Sequence, residues 1–167
     1  DCSFPGEMHD FWEIVCVLDG NLRVSGDDRV YDLQKNQIIF HKPMELHKFH
    51  ALSPGKIFVL TFHLSGSSAN RFCNRSFRLL PKQIALLYDI LDALRSYPTP
   101  LVNNEHNYMS AFYDNPLYLQ QAACRTELFL ISLLQDNSHC LHSSNNAETS
   151  IYKATIHFME QHLTEWI

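Results

Sequence analysis

The sequence predicts an α+β protein: short strands in the N-terminal half form a small β-sandwich or barrel, and about three helices follow. Three observations carry this reading. Between residues 11 and 64, at least six short apolar or alternating runs are separated by turn residues every 8 to 12 positions or so. After Phe77 the apolar spacing changes from the two-residue period of strands to the three-and-four spacing of helices. Two of the helical runs also begin at a proline, Pro81 and Pro116, as first helical turns favour.

The strands come first. FWEIVCVL is apolar and β-branched, and Asp19-Gly20-Asn21 ends it in a turn. NLRVSGDDRVYDL holds two alternating runs, Leu22/Val24 and Val30/Leu33, around Ser25-Gly26-Asp27-Asp28, which reads as a hairpin. QIIFH, LHKFHAL and KIFVLTFHL follow, separated by Lys42-Pro43 and by Ser53-Pro54-Gly55. These runs place a β domain over residues 1–77 and a helical region over 78–167.

In the helical region, LPKQIALLYDILDALRSYP starts at Pro81 and spaces Ile84, Leu87, Leu91 and Leu94 along one face. A polar linker from Thr99 to Asn115 precedes a second helix, with Asn115 as N-cap and Pro116 at the first helical position. Leu119, Ala123, Leu130 and Leu133 form its stripe and are the expected dimer interface. Its second half, LFLISLL, is apolar nearly all round, which suits a helix covered on two sides, by its own domain and by a partner. Complete burial inside one domain is the alternative. A last helix is expected from Asn145, with Glu148 as its capping partner and Tyr152, Ile156, Met159, Leu163 and Trp166 on one stripe. That stripe runs to the end of the chain, so a further segment is expected after it.

Composition narrows the function classes. The chain has 167 residues, enough for a real core, and a net charge of −5 gives no electrostatic reason to expect nucleic acid on it. Its five cysteines are scattered with no CxxC pair, so reduced thiols and a cytoplasmic setting are expected instead of a disulfide framework. No apolar run approaches the roughly 20 residues that span a bilayer. Ten histidines against thirteen Lys plus Arg keep metal or pH-sensitive chemistry open.

The stretch GEMHDFWEIVCVLDG concentrates that chemistry. If residues 7 to 13 form one continuous strand, Glu7, His9, Phe11 and Glu13 share a face. HKPMELHKF gives a second set, Glu45, His47 and Phe49. Neighbouring strands would bring His9, Glu13 and His47 within ligand distance of one another. Imidazoles with carboxylates suit Fe, Mn, Zn or Ni, and they equally suit hydrogen bonds to a small polar molecule. The remaining alternative is a polar, solvated strand start. Charges turned inward need a wet pocket, since unpaired burial is costly. Trp12 falls on the opposite face and is expected to pack. His41 and His63, at strand ends, are expected to be structural, and His157 and His162 belong to the last helix. No GxSxG, P-loop or Rossmann glycine pattern occurs.

These residues also carry a family resemblance. H9-x3-E13-x6-G20 resembles the first motif of cupins, and P43-x3-H47 is similar to the second. The spacing between them, with GDDRVYDL, KNQIIFHKP and the trailing SIYKATIHFMEQHLTEWI, resembles the N-terminal sensing domain of AraC-family transcription regulators. The resemblance implies a cupin-like β-barrel (a double-stranded β-helix), helices that dimerise, and a DNA-binding helix-turn-helix domain after residue 167. It implies a small-molecule effector, a sugar or similar, held by some of Glu7, His9, Phe11, Glu13, Glu45, His47 and Phe49. It implies a homodimer, no enzyme activity and no cofactor. DNA would be reached only through the missing domain, and no membrane is involved.

Two departures bear on metal. Glu7 stands where the first motif has histidine, so the usual three-histidine set is not available. In many cupin enzymes the second motif is Pro-x-Gly-x2-His, whereas here His47 comes one residue sooner and Glu45 replaces the glycine. A divalent ion on Glu7, His9, Glu13 and His47 is the alternative, and with it a mononuclear metal cupin enzyme, a dioxygenase or sugar isomerase. A dimerisation module with a vestigial pocket is the third reading.

Overall fold

The computed structural model describes residues 6–27, 29–73, 75–95, 116–136 and 144–145. They fall into two compact units with a boundary between Arg78 and Leu79; the short segment at residues 144–145 belongs to the first unit.

The first unit is two antiparallel sheets. One contains β1 (Trp12–Asp19), β4 (Gln37–His41), β6 (Lys56–Phe62) and β7 (Ser76–Arg78), in the order β6-β1-β4-β7. The other contains β2 (Asn21–Gly26), β3 (Arg29–Gln34), β5 (His47–Ala51) and β8 (Ser144–Asn145), in the order β5-β2-β3-β8. Among the described residues no pairing joins the two sheets, so the expected closed barrel is a sandwich here. The reason lies in the connections: β1–β2 and β3–β4 each cross from one sheet to the other within a tight turn. Gly20 makes the first crossing at φ +81°, where an added Cβ would lie 2.5 Å from the Pro54 carbonyl oxygen. Asn36 makes the second at φ 63°, a conformation that Asn tolerates, and its N–H donates to the Val17 carbonyl at 2.8 Å.

Alternation along the strands fills the space between the sheets. Val15, Val17, Leu22, Val24, Tyr31, Leu33 and Ile39 form one buried cluster, with Phe49 packed against it. Residues of the other parity on β1 and β4 are buried as well. Phe40 stacks on Phe72 at 4.6 Å and meets Phe77 edge-on at 5.9 Å, so the segment around the short 3-10 turn Ala69–Phe72 covers the back of that sheet. Trp12 is buried as expected, and its indole N–H donates to the Leu64 carbonyl at 3.2 Å.

The expectation of one continuous strand from residue 7 to 13 is corrected. β1 starts at Trp12, and Asp10–Phe11 form a bend. Upstream of the bend, Glu7 makes an isolated antiparallel bridge with His47, Glu7 N to His47 O at 2.9 Å and His47 N to Glu7 O at 3.0 Å. The chain therefore runs along β5 in one sheet, turns, and enters the other sheet as β1.

Among the described residues the second unit holds two α-helices, α1 (Pro81–Arg95) and α2 (Pro116–Gln135); about three were expected. The last expected helix lies outside the described residues, apart from Asn145, its expected N-cap, which pairs with Arg29 in β8. The Thr99–Asn115 linker also lies outside them. Both helices start at their predicted prolines. In α1, Gln83 accepts from the Leu80 N–H at 2.8 Å and donates to the Ser132 carbonyl of α2 at 3.2 Å, while Lys82 pairs with Asp136 at 2.7 Å. The start of α1 thus meets the end of α2, an antiparallel pair. The predicted α2 stripe divides: Leu130 and Leu133 are buried, whereas Leu119 and Ala123 are exposed. Leu128 and Ile131 are exposed too, so complete burial of LFLISLL does not hold.

Candidate functional site

At one end of the sandwich four side chains converge. Glu7 arrives through its bridge to β5, His9 from the following turn, Glu13 from the start of β1 and His47 from the start of β5. One donor atom from each lies within 4.8 Å of all the others. His47 Nε2 is 3.4 Å from Glu13 Oε1 and 3.5 Å from Glu7 Oε1, and His9 Nε2 is 3.6 Å from Glu13 Oε2. The side chains of Glu13 and His47 are 5% and 0% exposed and that of Glu7 is 40%, so the set opens to solvent on the Glu7 side.

The backbone fixes how the two imidazoles present themselves. His9 Nδ1–H donates to the Phe11 carbonyl at 3.0 Å, and His47 Nδ1–H to the Glu45 carbonyl at 3.0 Å. A carbonyl only accepts, so in the neutral ring Nδ1 carries the proton and Nε2 is a bare acceptor. Phe11 stacks on His9 at 3.8 Å and 9°, which fixes the ring plane, and His9 meets His47 edge-on at 4.9 Å. The Met44 N–H donates to the His9 carbonyl at 2.7 Å and holds the turn from outside.

His41, expected to be a structural strand end, belongs to this cluster. It is fully buried, stacks on His47 at 4.1 Å and 11°, and is the register partner of Glu13 across β1 and β4. Its parity with Ile39, an inner-face residue, was the available signal. Its Nδ1 lies 3.2 Å from Glu45 Oε1, and Glu45 Oε2 accepts from the Lys42 N–H at 3.0 Å. Glu45 is therefore spent on His41 and the loop and stays outside the converging set. Gly26 makes room for it, since a Cβ there would run into Glu45 Oε1. Phe49 lies 5.7 Å from His47 and 6.1 Å from His41, between the polar set and the apolar cluster. His63 meets Phe11 edge-on at 6.4 Å.

Four buried polar atoms of this cluster have no hydrogen-bond partner: His9 Nε2, Glu13 Oε1, His41 Nε2 and His47 Nε2. Burial pulls the His41 imidazole below its ordinary 6.5, only partly offset by Glu45. Burial works the same way on His47, but the Glu13 and Glu7 carboxylates and the Glu45 carbonyl outweigh it, and His47 titrates above 6.5. The thiols take no part among the described residues: Cys16 is buried and pushed up to about 12.

The model of the AraC-like ligand binding domain matches residues 1–104. A search of curated proteins finds no match. Among solved structures, YcfD, a ribosomal oxygenase from Escherichia coli in complex with cobalt and succinic acid, overlays with a TM-score of 0.35 at 10% identity. That overlay covers 81% of this chain and 36% of the oxygenase, so the chain spans about a third of that protein's length.

Proposed function

We propose that this chain, which belongs to the family of AraC-like ligand binding domains, senses a small molecule at the polar end of its sandwich and passes that occupancy to the DNA-binding domain of a transcription regulator. The observation that carries the reading is the group of four buried, unpartnered polar atoms on His9, Glu13, His41 and His47. Each unmet buried polar atom costs about 1–3 kcal/mol, so a ligand that meets them gains what the empty protein lacks.

Their chemistry narrows the effector. In the neutral rings every free nitrogen is an acceptor, and Glu7 and Glu13 add only acceptors. A complementary molecule brings donors, as the hydroxyls of a sugar or an ammonium group do. An organic acid brings the wrong charge. Protonation of His47 at lower pH removes one acceptor and weakens binding.

On this reading the helical unit is the output. Leu119 and Ala123 offer an exposed apolar stripe on the first half of α2 to a second copy of the chain, Leu128 and Ile131 are exposed on other sides of the helix, and Leu130 and Leu133 serve the interior. Occupancy alters dimer or DNA-domain arrangement only if the effector prefers one of two arrangements. No helix among the described residues is long and apolar enough to cross a membrane, and a cytoplasmic setting is part of the proposal.

A thermal-shift comparison in chelator tests it, with sugars, polyols and amines set against carboxylic acids. A compound at a hundred times its Kd adds about 2.7 kcal/mol to the native state. Such a compound should raise the Tm of the wild type and not that of Glu13→Gln. Equal shifts in both proteins, or stabilisation by acids alone, would sink the reading.

A further inference from the structure

We infer that the effector is an amphiphile: its hydrogen-donating head enters the polar end of the sandwich, and its alkyl or aryl body lies along the inward column of β6, Thr61, Val59 and Ile57. The inference rests on the sensing role proposed above and adds the class of molecule sensed.

Burial along β6 is inverted. Register pairs Thr61 with Glu13, Val59 with Val15 and Ile57 with Val17, and register partners carry their side chains on the same face of a sheet. Val15 and Val17 belong to the cluster between the sheets, so Thr61, Val59 and Ile57 face that space too. Yet Val59 and Ile57 are 41% and 44% exposed and Thr61 is exposed, whereas Val15 and Val17 are fully buried. The outward residues of the same strand, Phe58, Leu60 and Phe62, are the better covered ones. A sandwich strand ordinarily buries its inward side.

The cause is the edge. Among the described residues β6 ends one sheet and β5 ends the other, and only residues 52–55 connect them. The inward positions of β5 open in the same direction: His47 is buried, Phe49 half-buried and Ala51 exposed. The two edge strands thus leave one flank of the sandwich open, with Val59 and Ile57 on the β6 side and Phe49 and Ala51 on the β5 side.

Single exposed apolar side chains are ordinary; what matters here is where the column leads. Thr61 stands beside Glu13, whose Oε1 is one of the unpartnered buried atoms of the polar end. His63, two residues further, meets Phe11, the ring stacked on His9. One column therefore runs from a set of buried acceptors, past a hydroxyl, to two branched aliphatic side chains. Each step of two residues is about 7 Å, which puts Val59 and Ile57 about 7 and 14 Å from the level of Glu13. A bare amine or small polyol held by the acceptors leaves both side chains in water. A head with a tail meets the acceptors and covers the column together, and each methylene it removes from water adds affinity. Three inward-facing positions suit a narrow tail and not the broad surface of a folded partner.

The test is titration calorimetry at pH 7 with straight-chain primary amines from ethylamine to octylamine, each below its aggregation concentration. Kd should tighten about 2- to 4-fold per methylene once the chain passes Thr61, 4-fold being the worth of a fully buried CH2. Val59→Thr and Ile57→Thr keep a β-branched side chain and make it polar. Each should flatten part of the series, and the double variant should flatten it throughout, while ethylamine binds as it does to wild type. Glu13→Gln should weaken every member by the same factor and keep the slope. Leu117→Gln alters an apolar residue of α2 that is 73% exposed and should change nothing. Melting followed by circular dichroism shows that the variants fold. Bound ethylamine with a flat series would overturn the tail and leave the sensing reading standing. Absence of binding by every amine, or no effect of Glu13→Gln, would overturn both. Flattening by Leu117→Gln as strong as that by the double variant would mark unspecific partition and overturn the inference. So would loss of a dimer in the double variant with the amine series unchanged, which would make the column an interface between copies.

Discussion

The two ends of the space between the sheets are built by the same strands and have opposite chemistry. The inward positions of β1 run Glu13, Val15, Val17, and those of β4 run His41, Ile39. On β5 they run His47, Phe49, and on β2 they run Gly26, Val24, Leu22. One step of two residues, about 7 Å, crosses from a dry aliphatic cluster to a group of buried imidazoles and carboxylates. Burial alone does not separate these ends, since Glu13, His41 and His47 are as inaccessible as the valines beside them. Satisfaction does: beside the apolar cluster only Ser76 Oγ, across from Ile39, lacks a partner among the described residues, whereas the polar end leaves four atoms without one. The apolar end thus supplies burial without unmet charge, and the polar end holds the groups that the proposed effector would meet.

The sharpest way to break this comparison is to exchange the costs of the two ends. Leu33 is 1% exposed in the apolar cluster, and Leu33→Ala should lose about 2–4 kcal/mol through lost burial and the cavity left behind. Glu13→Gln, equally buried, should cost less than that, because the desolvation of a buried carboxylate offsets much of what its pairing with His47 contributes. Chemical denaturation of both variants in chelator measures the difference. A Glu13→Gln loss as large as that of Leu33→Ala would show that the polar end is structural after all.

The second way tests whether Glu45 belongs with the support or with the site. Its carboxylate accepts from the Lys42 N–H and pairs with His41, so Glu45→Ala should cost about 1–3 kcal/mol while leaving the four-residue set in place. Gly26→Ala should cost a similar amount, since its methyl displaces the same carboxylate. In the double variant the two losses should not add, because Gly26→Ala has nothing left to displace. Additive losses in a double-mutant cycle would separate the two residues.

Much of this was legible in the sequence, and the gaps have physical causes. The positions of the strands, the hairpin and the helix starts followed from turn residues and prolines, which act locally: Gly20, Pro81 and Pro116 each set their own backbone. Parity on β5 paired His47 with Phe49 correctly, because that strand is regular. Residues 7 to 13 defeated the same argument. The bend at Asp10–Phe11 moves the chain from one sheet to the other, and Glu7, His9 and Glu13 meet through that crossing instead of along one strand. The contact between Glu45 and His41 was not foreseen because the loop between β4 and β5 turns the Glu45 carboxylate back toward β4, which neither periodicity nor composition encodes. In α2 the apolar stripe was visible, but which half faces α1 depends on partners remote in sequence, Gln83 and Lys82 among them.

The smallest effect lies on the outer surface, where charge is paired and solvated. Arg23 and Asp32 are register partners across β2 and β3, and the guanidinium meets the carboxylate through two bonds of 2.6 and 2.7 Å. The Arg23 hydrogen bond holds the Asp32 carboxyl below its ordinary 3.8. The unfolded chain therefore binds the proton more readily, and the pair's contribution is present above pH 3.8 and fades as pH falls through the lower folded value. Asp32→Asn should accordingly lower the Tm slightly at pH 7, with the gap to wild type closing as the pH drops below that of an ordinary carboxyl. Both side chains are about half exposed, at 51% and 52%, so solvent and salt screen the pair, and high salt should shrink the gap at neutral pH as well. A gap that held at low pH would mean that Asp32 acts through packing. A large gap at pH 7 would mean that exposed charge matters to this fold more than the contrast between its two interior ends allows.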